Sequence, residues 1–114
     1  MADKGLYLGE FEEIVLLTVM RLRTNAYGVS IRQEVELVAG RPTSIGAIYA
    51  TLNRLEEKGM VSSWQGEKTE ERGGRAKRYF QIEGVGLHAL NEANRVRSAL
   101  GAGLNLGQPM RGVL

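Results

Sequence analysis

Apolar residues recur at helical spacing in four stretches of the chain. Within each stretch they lie three or four residues apart, which places them on one face of an α-helix. The four predicted stripes are Phe11, Ile14, Val15, Leu17 and Leu22; Ile31, Val35 and Val38; Ile45, Ile48, Leu52 and Leu55; and Leu87, Leu90, Ala93, Val96 and Leu100. This pattern predicts four helices, of which the first spans Gly9 to Leu22 and the last about Val85 to Leu100.

Polar and small residues mark the ends of the two middle helices. Ser30 followed three residues later by Gln33 fits a capping box that opens helix two, and the segment 40–42, Gly-Arg-Pro, is expected to end it because proline cannot continue a helix. Ser44 is a suitable N-cap for helix three, and Gly59 is placed for its C-terminal cap.

Two short strands are predicted between helices three and four, from Met60 to Gly66 and from about Lys77 to Ile82. They form a β-hairpin whose long tip concentrates the positive charge of the chain. Residues 68–78 carry five cations, Lys68, Arg72, Arg75, Lys77 and Arg78, against Glu70 and Glu71. Such a segment is either a solvated charged turn or a contact for a polyanion.

Composition limits the classes of function. The 114 residues, 43% of them hydrophobic and 25% charged, suit one globular domain. With no cysteine and one histidine, His88, the chain offers no disulfide, no thiolate nucleophile and no recognisable metal cluster, so we expect neither an enzyme nor a cofactor or metal. No apolar run approaches the roughly 20 residues of a membrane helix, and the first residues lack a signal peptide. We therefore expect a cytoplasmic protein without a membrane partner.

The order of these elements indicates function. Three helices, a two-stranded hairpin and one further helix form a winged helix-turn-helix, a mainly α fold in which helix three enters the DNA major groove and the hairpin is the wing. The face of helix three opposite its apolar stripe comprises Gly46, Ala47, Ala50, Asn53, Arg54 and Glu57. This narrow face suits a groove, although the solvent side of an ordinary helix would also fit the pattern.

Several of these residues resemble a known family. The stretch from Ser44 to Tyr49, continuing through Leu52, Arg54 and Leu55 to Val61, is similar to the recognition-helix signature of PadR-type transcriptional regulators. Tyr27-Gly28 before helix two and the wing residues Gly73-Gly74-Arg75 and Lys77 to Phe80 resemble the same family, although Ala50 stands where many members have proline.

The resemblance implies a homodimeric repressor that binds an inverted-repeat operator in double-stranded DNA. By position it implies DNA contacts from Ser44, Gly46 and Tyr49 and from the basic wing. Together with the residue pattern, it gives a predicted DNA-contact set of Tyr27, Ser44, Gly46, Ala47, Tyr49, Asn53, Arg54, Lys68, Arg72, Arg75, Lys77 and Arg78.

The resemblance also places the dimer interface on the last helix and part of the first. The predicted interface residues are Phe11, Leu87, Leu90, Ala93, Val96 and Leu100, within a domain that spans 6–100 and includes a dimerisation helix at about 84–100. Residues 101–114 are expected to form a flexible tail. The alternative is a monomer whose last helix packs back on helix one.

Two questions stay open from the sequence. The same fold could serve as a protein-interaction module, which would not need the wing cations. Some relatives bind aromatic effectors between subunits, but helix four carries no aromatic residue, and Trp64 suits hairpin packing better than ligand stacking. Whether a small-molecule effector exists, and what it would be, therefore stays open.

Overall fold

Four α-helices and one antiparallel hairpin make up the part of the chain that the structure, a computed structural model, describes: residues 7–67 and 76–105. The elements are α1 (Glu10–Leu22), a 3₁₀ turn (Arg23–Asn25), α2 (Gly28–Ala39), α3 (Ile45–Glu57), β1 (Val61–Gln65), β2 (Arg78–Ile82) and α4 (Gly84–Gly101). The predicted order of elements, and with it the winged helix-turn-helix, is confirmed. Within the described ranges, each helix is too short or too polar to cross a bilayer.

One hydrophobic core joins the first three helices to the hairpin. Its fully buried side chains come from α1, α2, α3 and β2 and from the segments just before α2 and β1, and the largest of them is Phe80 of β2. Burying one such side chain stabilises the fold by roughly 1.5–3 kcal/mol. The core members with at most 2% exposure are Val15, Leu16, Val19, Ala26, Ile31, Val35, Ile48, Leu52, Leu55, Met60, Val61, Phe80 and Ala89.

In the predicted stripes of the first three helices, three residues are exposed. Leu17, Val38 and Ile45 each expose more than a third of their surface. Because α1 packs against α2, α3 and β2, its buried stripe is centred on Leu16 and Val19 instead. Leu17 and Val38 both line a surface groove between α1 and α2.

The ends of α3 follow the prediction, whereas the start of α2 does not. The Ser44 hydroxyl accepts a hydrogen bond from the Ala47 N–H at 3.0 Å, as an N-cap should. Helix α2 begins at Gly28, so Ser30 lies in its first turn and the predicted Ser30–Gln33 capping box is wrong. The Ser30 hydroxyl instead accepts from the Tyr27 N–H at 3.0 Å and donates to the Asn25 carbonyl at 2.7 Å.

Glycines in the left-handed region end both helices. Gly40, at φ +63°, follows the last residue of α2, so this helix stops before Pro42 can interrupt it. Gly59, at φ +75°, follows Lys58 at the end of α3, as predicted. The backbone of any residue other than glycine would be strained at either position.

The wing is connected to the helix-turn-helix through the segment before α2. Strands β1 and β2 pair antiparallel, from Val61 opposite Ile82 to Gln65 opposite Arg78. Tyr27 forms an isolated bridge with Tyr79, and the Phe80 N–H donates to the Ala26 carbonyl at 2.8 Å. The hairpin is therefore fixed to the start of α2 by backbone hydrogen bonds. The predicted wing contacts Lys68, Arg72 and Arg75 lie outside the described residues.

Helix α4 joins the domain through its first two turns. Gly86, Ala89 and Leu90 are its buried residues, while its later turns are largely exposed. A Cβ atom at Gly86 would lie 2.4 Å from the Met60 carbonyl oxygen, so only glycine allows this close approach. Helix α4 ends at Gly101, the first residue of the predicted tail, and residues 106–114 of that tail lie outside the described part of the chain.

Gly86→Ala is expected to lower the free energy of unfolding by about 1–3 kcal/mol, because the added methyl group would push α4 away from the turn before β1. Gly84→Ala is the matched control in the same helix, since nothing lies within 4 Å of a Cβ at that position. Urea titration of both variants measures the effect. Equal stability of the two variants would contradict the proposed close contact.

Candidate nucleic-acid interface

The exposed side of α3 is a narrow ridge. Gly46, Ala50, Asn53 and Glu57 are exposed, and their spacing of three or four residues places them on one face. A Cβ at Gly46 would find only the Ser44 hydroxyl within 4 Å, so the described chain does not cover this end of the helix. The ridge is small enough to approach another surface with its backbone.

The opposite side of α3 fixes the direction in which this ridge points. Ile48, Leu52 and Leu55 are completely buried in the core. Thr51, also buried, donates its hydroxyl hydrogen to the Ala47 carbonyl at 2.8 Å. Rotation of the helix would expose this stripe and cost several kcal/mol of apolar burial, so the ridge stays outward.

A carboxylate of α1 anchors the C-terminal end of α3. Both carboxylate oxygens of Glu12 lie 3.0 Å from the Lys58 ammonium nitrogen, and Oε1 also accepts from the Gly9 N–H at 2.9 Å. The Lys58 ammonium donates to the Tyr7 carbonyl at 3.0 Å as well. These bonds join the end of the ridge helix to the start of α1.

The surroundings of Glu12 determine its charge state. Burial raises the pKa of this carboxyl group, but the Gly9 N–H, the Lys58 ammonium and the Arg54 guanidinium together hold the pKa below its ordinary value of 4.5. Glu12 is therefore a carboxylate at neutral pH, and its charge strengthens the connection between α1 and α3.

Arg54, predicted as a DNA contact, takes part in this anchor. Its Nε lies 3.5 Å from Oε2 of Glu12, and its Nη2 donates to the Thr51 hydroxyl at 3.1 Å. About half of the side chain is exposed. The structure thus brings Arg54 together with α1, whereas Asn53 extends from the ridge without sharing this network.

Aromatic rings form the base of the wing. The rings of Tyr27 and Tyr79 meet edge to face at 5.6 Å, and Trp64 stacks on Tyr79 at 5.7 Å. The Lys77 ammonium lies 4.4 Å from the centre of the Tyr27 ring, a cation–π contact. Trp64 therefore packs within the hairpin, and Lys77 is held beside the start of α2.

Tyr49 connects α3 to the same region. A Cβ at Gly28 would lie 2.4 Å from the Tyr49 hydroxyl oxygen, so the tyrosine ring packs directly on the first residue of α2. Tyr49, Gly28, Tyr27 and Lys77 thus form a continuous series of contacts from the ridge helix to the wing. Gly46 and Asn53 lie within about 60° of Tyr49 around the helix axis. The ridge and the base of the wing therefore border one surface.

Arg78, another predicted DNA contact, is held on the inner face of the wing. Its guanidinium forms an ion pair with Glu56 of α3 and donates through Nε to the Ser63 hydroxyl at 3.1 Å. Sequence reasoning missed Glu56, because it belongs neither to the buried stripe of α3 nor to the ridge. Its partner is 22 residues away, and no local pattern indicates such a pairing.

The predicted dimer residues divide into two groups. Leu90 is only 7% exposed and packs in the core of its own chain, and Phe11 is partly buried beneath the Arg41 guanidinium. Leu87, Val96 and Leu100 are exposed on α4, with Leu100 reaching 77%. Ala93 lies between these extremes.

The sequence itself decides the family. Residues 16–92 match the PadR-like family of transcriptional regulators, a stretch that covers more than half of the chain. The chain belongs to the PadR-like family. The matched region runs from the middle of α1 through the ridge, the wing and the first half of α4.

Solved structures of regulators share this fold. A PadR-like transcription factor from Bacteroides fragilis is 23% identical, with a TM-score of 0.67 over 80% of this chain and 82% of that one. A PadR family regulator from Clostridium difficile R20291 is 21% identical, with a TM-score of 0.58 over 79% and 88%. A transcriptional regulator from Clostridium thermocellum is 17% identical, with a TM-score of 0.67 over 96% and 100%. No curated protein is significantly similar in sequence.

Glu12→Gln tests the anchor of α3. Because the folded-state pKa of Glu12 is lowered, its charge contributes stability that is fully present above pH 4.5 and is lost as the pH falls through the lowered value. We expect the variant to be about 1–3 kcal/mol less stable than the wild type at pH 7, with the difference shrinking on acidification. Denaturant titrations across pH 3–7 would measure it.

Glu57→Gln, an equal change of charge at an exposed position of α3, is the control and should shift stability by less than about 0.5 kcal/mol. If Glu12→Gln and the wild type gave parallel stability curves across this pH range, the anchoring role would be wrong.

Proposed function

We propose that this PadR-like regulator is a sequence-specific DNA-binding protein that acts as a homodimer and represses transcription from an inverted-repeat operator. The observation that carries the proposal is the narrow ridge of α3, which borders the same surface as the base of the wing. Gly46, Ala50 and Asn53 give the ridge two small residues and one amide that can bond to a base edge. The major groove, about 12 Å wide, admits a helix of this kind.

Phosphate contacts would come from the neighbouring surface. Lys77 supplies a cation there, beside Tyr27 at the start of α2. The cations predicted at Lys68, Arg72 and Arg75 would extend this surface along the wing. Such contacts would orient the protein on the duplex, and the ridge would then distinguish sequences. A repressor of this kind works on DNA, in agreement with the predicted cytoplasmic location.

The exposed side of α4 supports the homodimer. Its final turns carry Val96 and Leu100, which are 40% and 77% exposed, while an ion pair between Arg97 and Glu13 at 2.7 Å holds the helix beside α1. The monomeric alternative would leave this apolar side in water. A twofold dimer through α4 would bury it and present two α3 ridges, about 34 Å or a multiple apart, to successive turns of DNA.

Lys77→Gln is expected to weaken binding to the DNA upstream of the protein's own gene and to make the salt dependence shallower. One lost phosphate contact reduces the slope of log K against log salt by about 0.9. Fluorescence anisotropy at four salt concentrations would measure both quantities. Arg95→Gln, an equal change of charge on α4, is the control and should leave the slope at its wild-type value.

Identical slopes for wild type and Lys77→Gln would exclude a phosphate contact at this position. Binding that shows no preference for the upstream duplex over a random one of equal length would favour the protein-interaction alternative.

Leu100→Glu is expected to weaken dimerisation by roughly tenfold or more, because the dimer would have to bury a carboxylate. Sedimentation equilibrium over a range of concentrations would measure the association constant. Leu37→Glu, at an 80% exposed position of α2, is the control. A wild-type protein that sediments as a monomer at every concentration, or a dimer disrupted only by Leu37→Glu, would contradict this interface.

A further inference from the structure

Arg78, Glu56 and Ser63 form a closed ring of side-chain bonds. The Arg78 guanidinium donates through Nη2 to Oε1 of Glu56 and through Nε to the Ser63 hydroxyl at 3.1 Å. The Ser63 hydroxyl in turn donates to Oε2 of Glu56 at 2.8 Å. Each of the three groups thus bonds to both of the others, which restricts all three side chains to one arrangement.

This ring connects three elements of the fold. Glu56 lies in the last turn of α3, Ser63 in the middle of β1, and Arg78 at the start of β2. The guanidinium also lies 4.9 Å from the centre of the Phe80 ring, whose side chain is completely buried. The Arg78–Glu56–Ser63 ring of bonds therefore fixes the inner face of both wing strands to the helix that carries the ridge.

The bonds of this ring also engage the positive charge of the Arg78 guanidinium. Phosphate binding by Arg78 would require the guanidinium to leave Glu56, Ser63 and the face of Phe80, and would leave the Glu56 carboxylate unpaired beside a polyanion. About a third of each ionic side chain is exposed, so the pair is partly shielded from water and from salt.

We propose that Glu56 is a positioning residue that holds the wing against α3 in the DNA complex, and that Arg78 is its structural partner and not a phosphate contact. The inference rests on the proposed function. With the ring closed, the ridge and the wing reach the groove and the backbone at a fixed separation. Without it, DNA would have to order the wing during binding, which lowers affinity.

The proposal predicts a change in DNA affinity opposite to the one that charge repulsion alone would give. Removing a carboxylate from a DNA-binding surface ordinarily strengthens binding, because the carboxylate repels phosphates. Glu56→Gln is instead expected to weaken binding to the upstream duplex by roughly fivefold to tenfold, with the salt slope unchanged. Glu57→Gln makes the same change at the next residue, which is not part of the ring, and is expected to strengthen binding to the duplex.

A second pair of variants tests the partner. Arg78→Lys keeps the positive charge but cannot make the two guanidinium bonds, so we expect a loss of affinity similar to that of Glu56→Gln. The double variant, Glu56→Gln with Arg78→Lys, should bind DNA no more weakly than either single variant, because either substitution alone already breaks the ring of bonds. Anisotropy titrations with the upstream duplex and with a random duplex of equal length, at several salt concentrations, measure all of these effects.

Thermal unfolding of each variant shows whether the fold persists. Ser63→Ala, which removes only one hydroxyl group, replaces Glu56→Gln if that variant unfolds, and it should also weaken binding.

Two results would overturn the inference while leaving the proposed function intact. One is a Glu56→Gln protein that binds as tightly as Glu57→Gln. The other is an Arg78→Lys protein with wild-type affinity together with an Arg78→Gln protein whose salt slope falls by about 0.9, the signature of a phosphate contact. A wild-type protein that prefers neither duplex would instead overturn the proposed function, and this inference with it.

Discussion

The orientation of α3 depends on the burial of one apolar stripe. Ile48, Leu52 and Leu55 are removed from water by α1, by α2 and by the hairpin, so the helix has only one rotation about its axis that keeps the core intact. The small residues opposite the stripe then face outward, although their own side chains do not set the rotation of the helix. The outward direction of the ridge thus arises from the packing of the opposite, buried side of the helix.

Charge pairing within the chain refines this surface. Arg54 and Arg78 both extend toward carboxylates of their own chain, Glu12 and Glu56, and both pairs connect α3 to a neighbouring element. Arginine suits this use because its planar guanidinium can bond to two acceptors at once. Lys77, by contrast, rests on the Tyr27 ring, and it is the cation that we propose as a phosphate contact. Cations close together in the sequence can therefore have different roles.

Local sequence rules were sufficient for features that depend on neighbouring residues. The Ser44 cap, the end of α3 before Gly59 and the order of helices and strands all follow from short patterns, and the structure confirms them. The same rules failed where a distant element decides the outcome. Leu17 and Val38 fit helical stripes, but no neighbouring helix covers them within the described residues.

Side-chain pairing was similarly hidden from the sequence. Nothing near Arg54 or Arg78 indicates that each would meet a carboxylate, because the partners approach only when the helices and the wing pack. Ser30 illustrates the same limit on a shorter scale: it is the third residue of α2 and not its N-cap, and its hydroxyl bonds to Tyr27 and to the turn before the helix. The predicted contacts of the wing tip and the predicted dimer remain predictions.

The central claim is that the outward ridge of α3 meets DNA, and amide NMR tests it most directly. Titration of the ¹⁵N-labelled protein with the duplex upstream of its gene should shift the backbone resonances of Gly46, Ala50 and Asn53 more than those of Leu37 on the exposed side of α2. Shifts that avoid the ridge and concentrate on α2 or α4 would contradict the account.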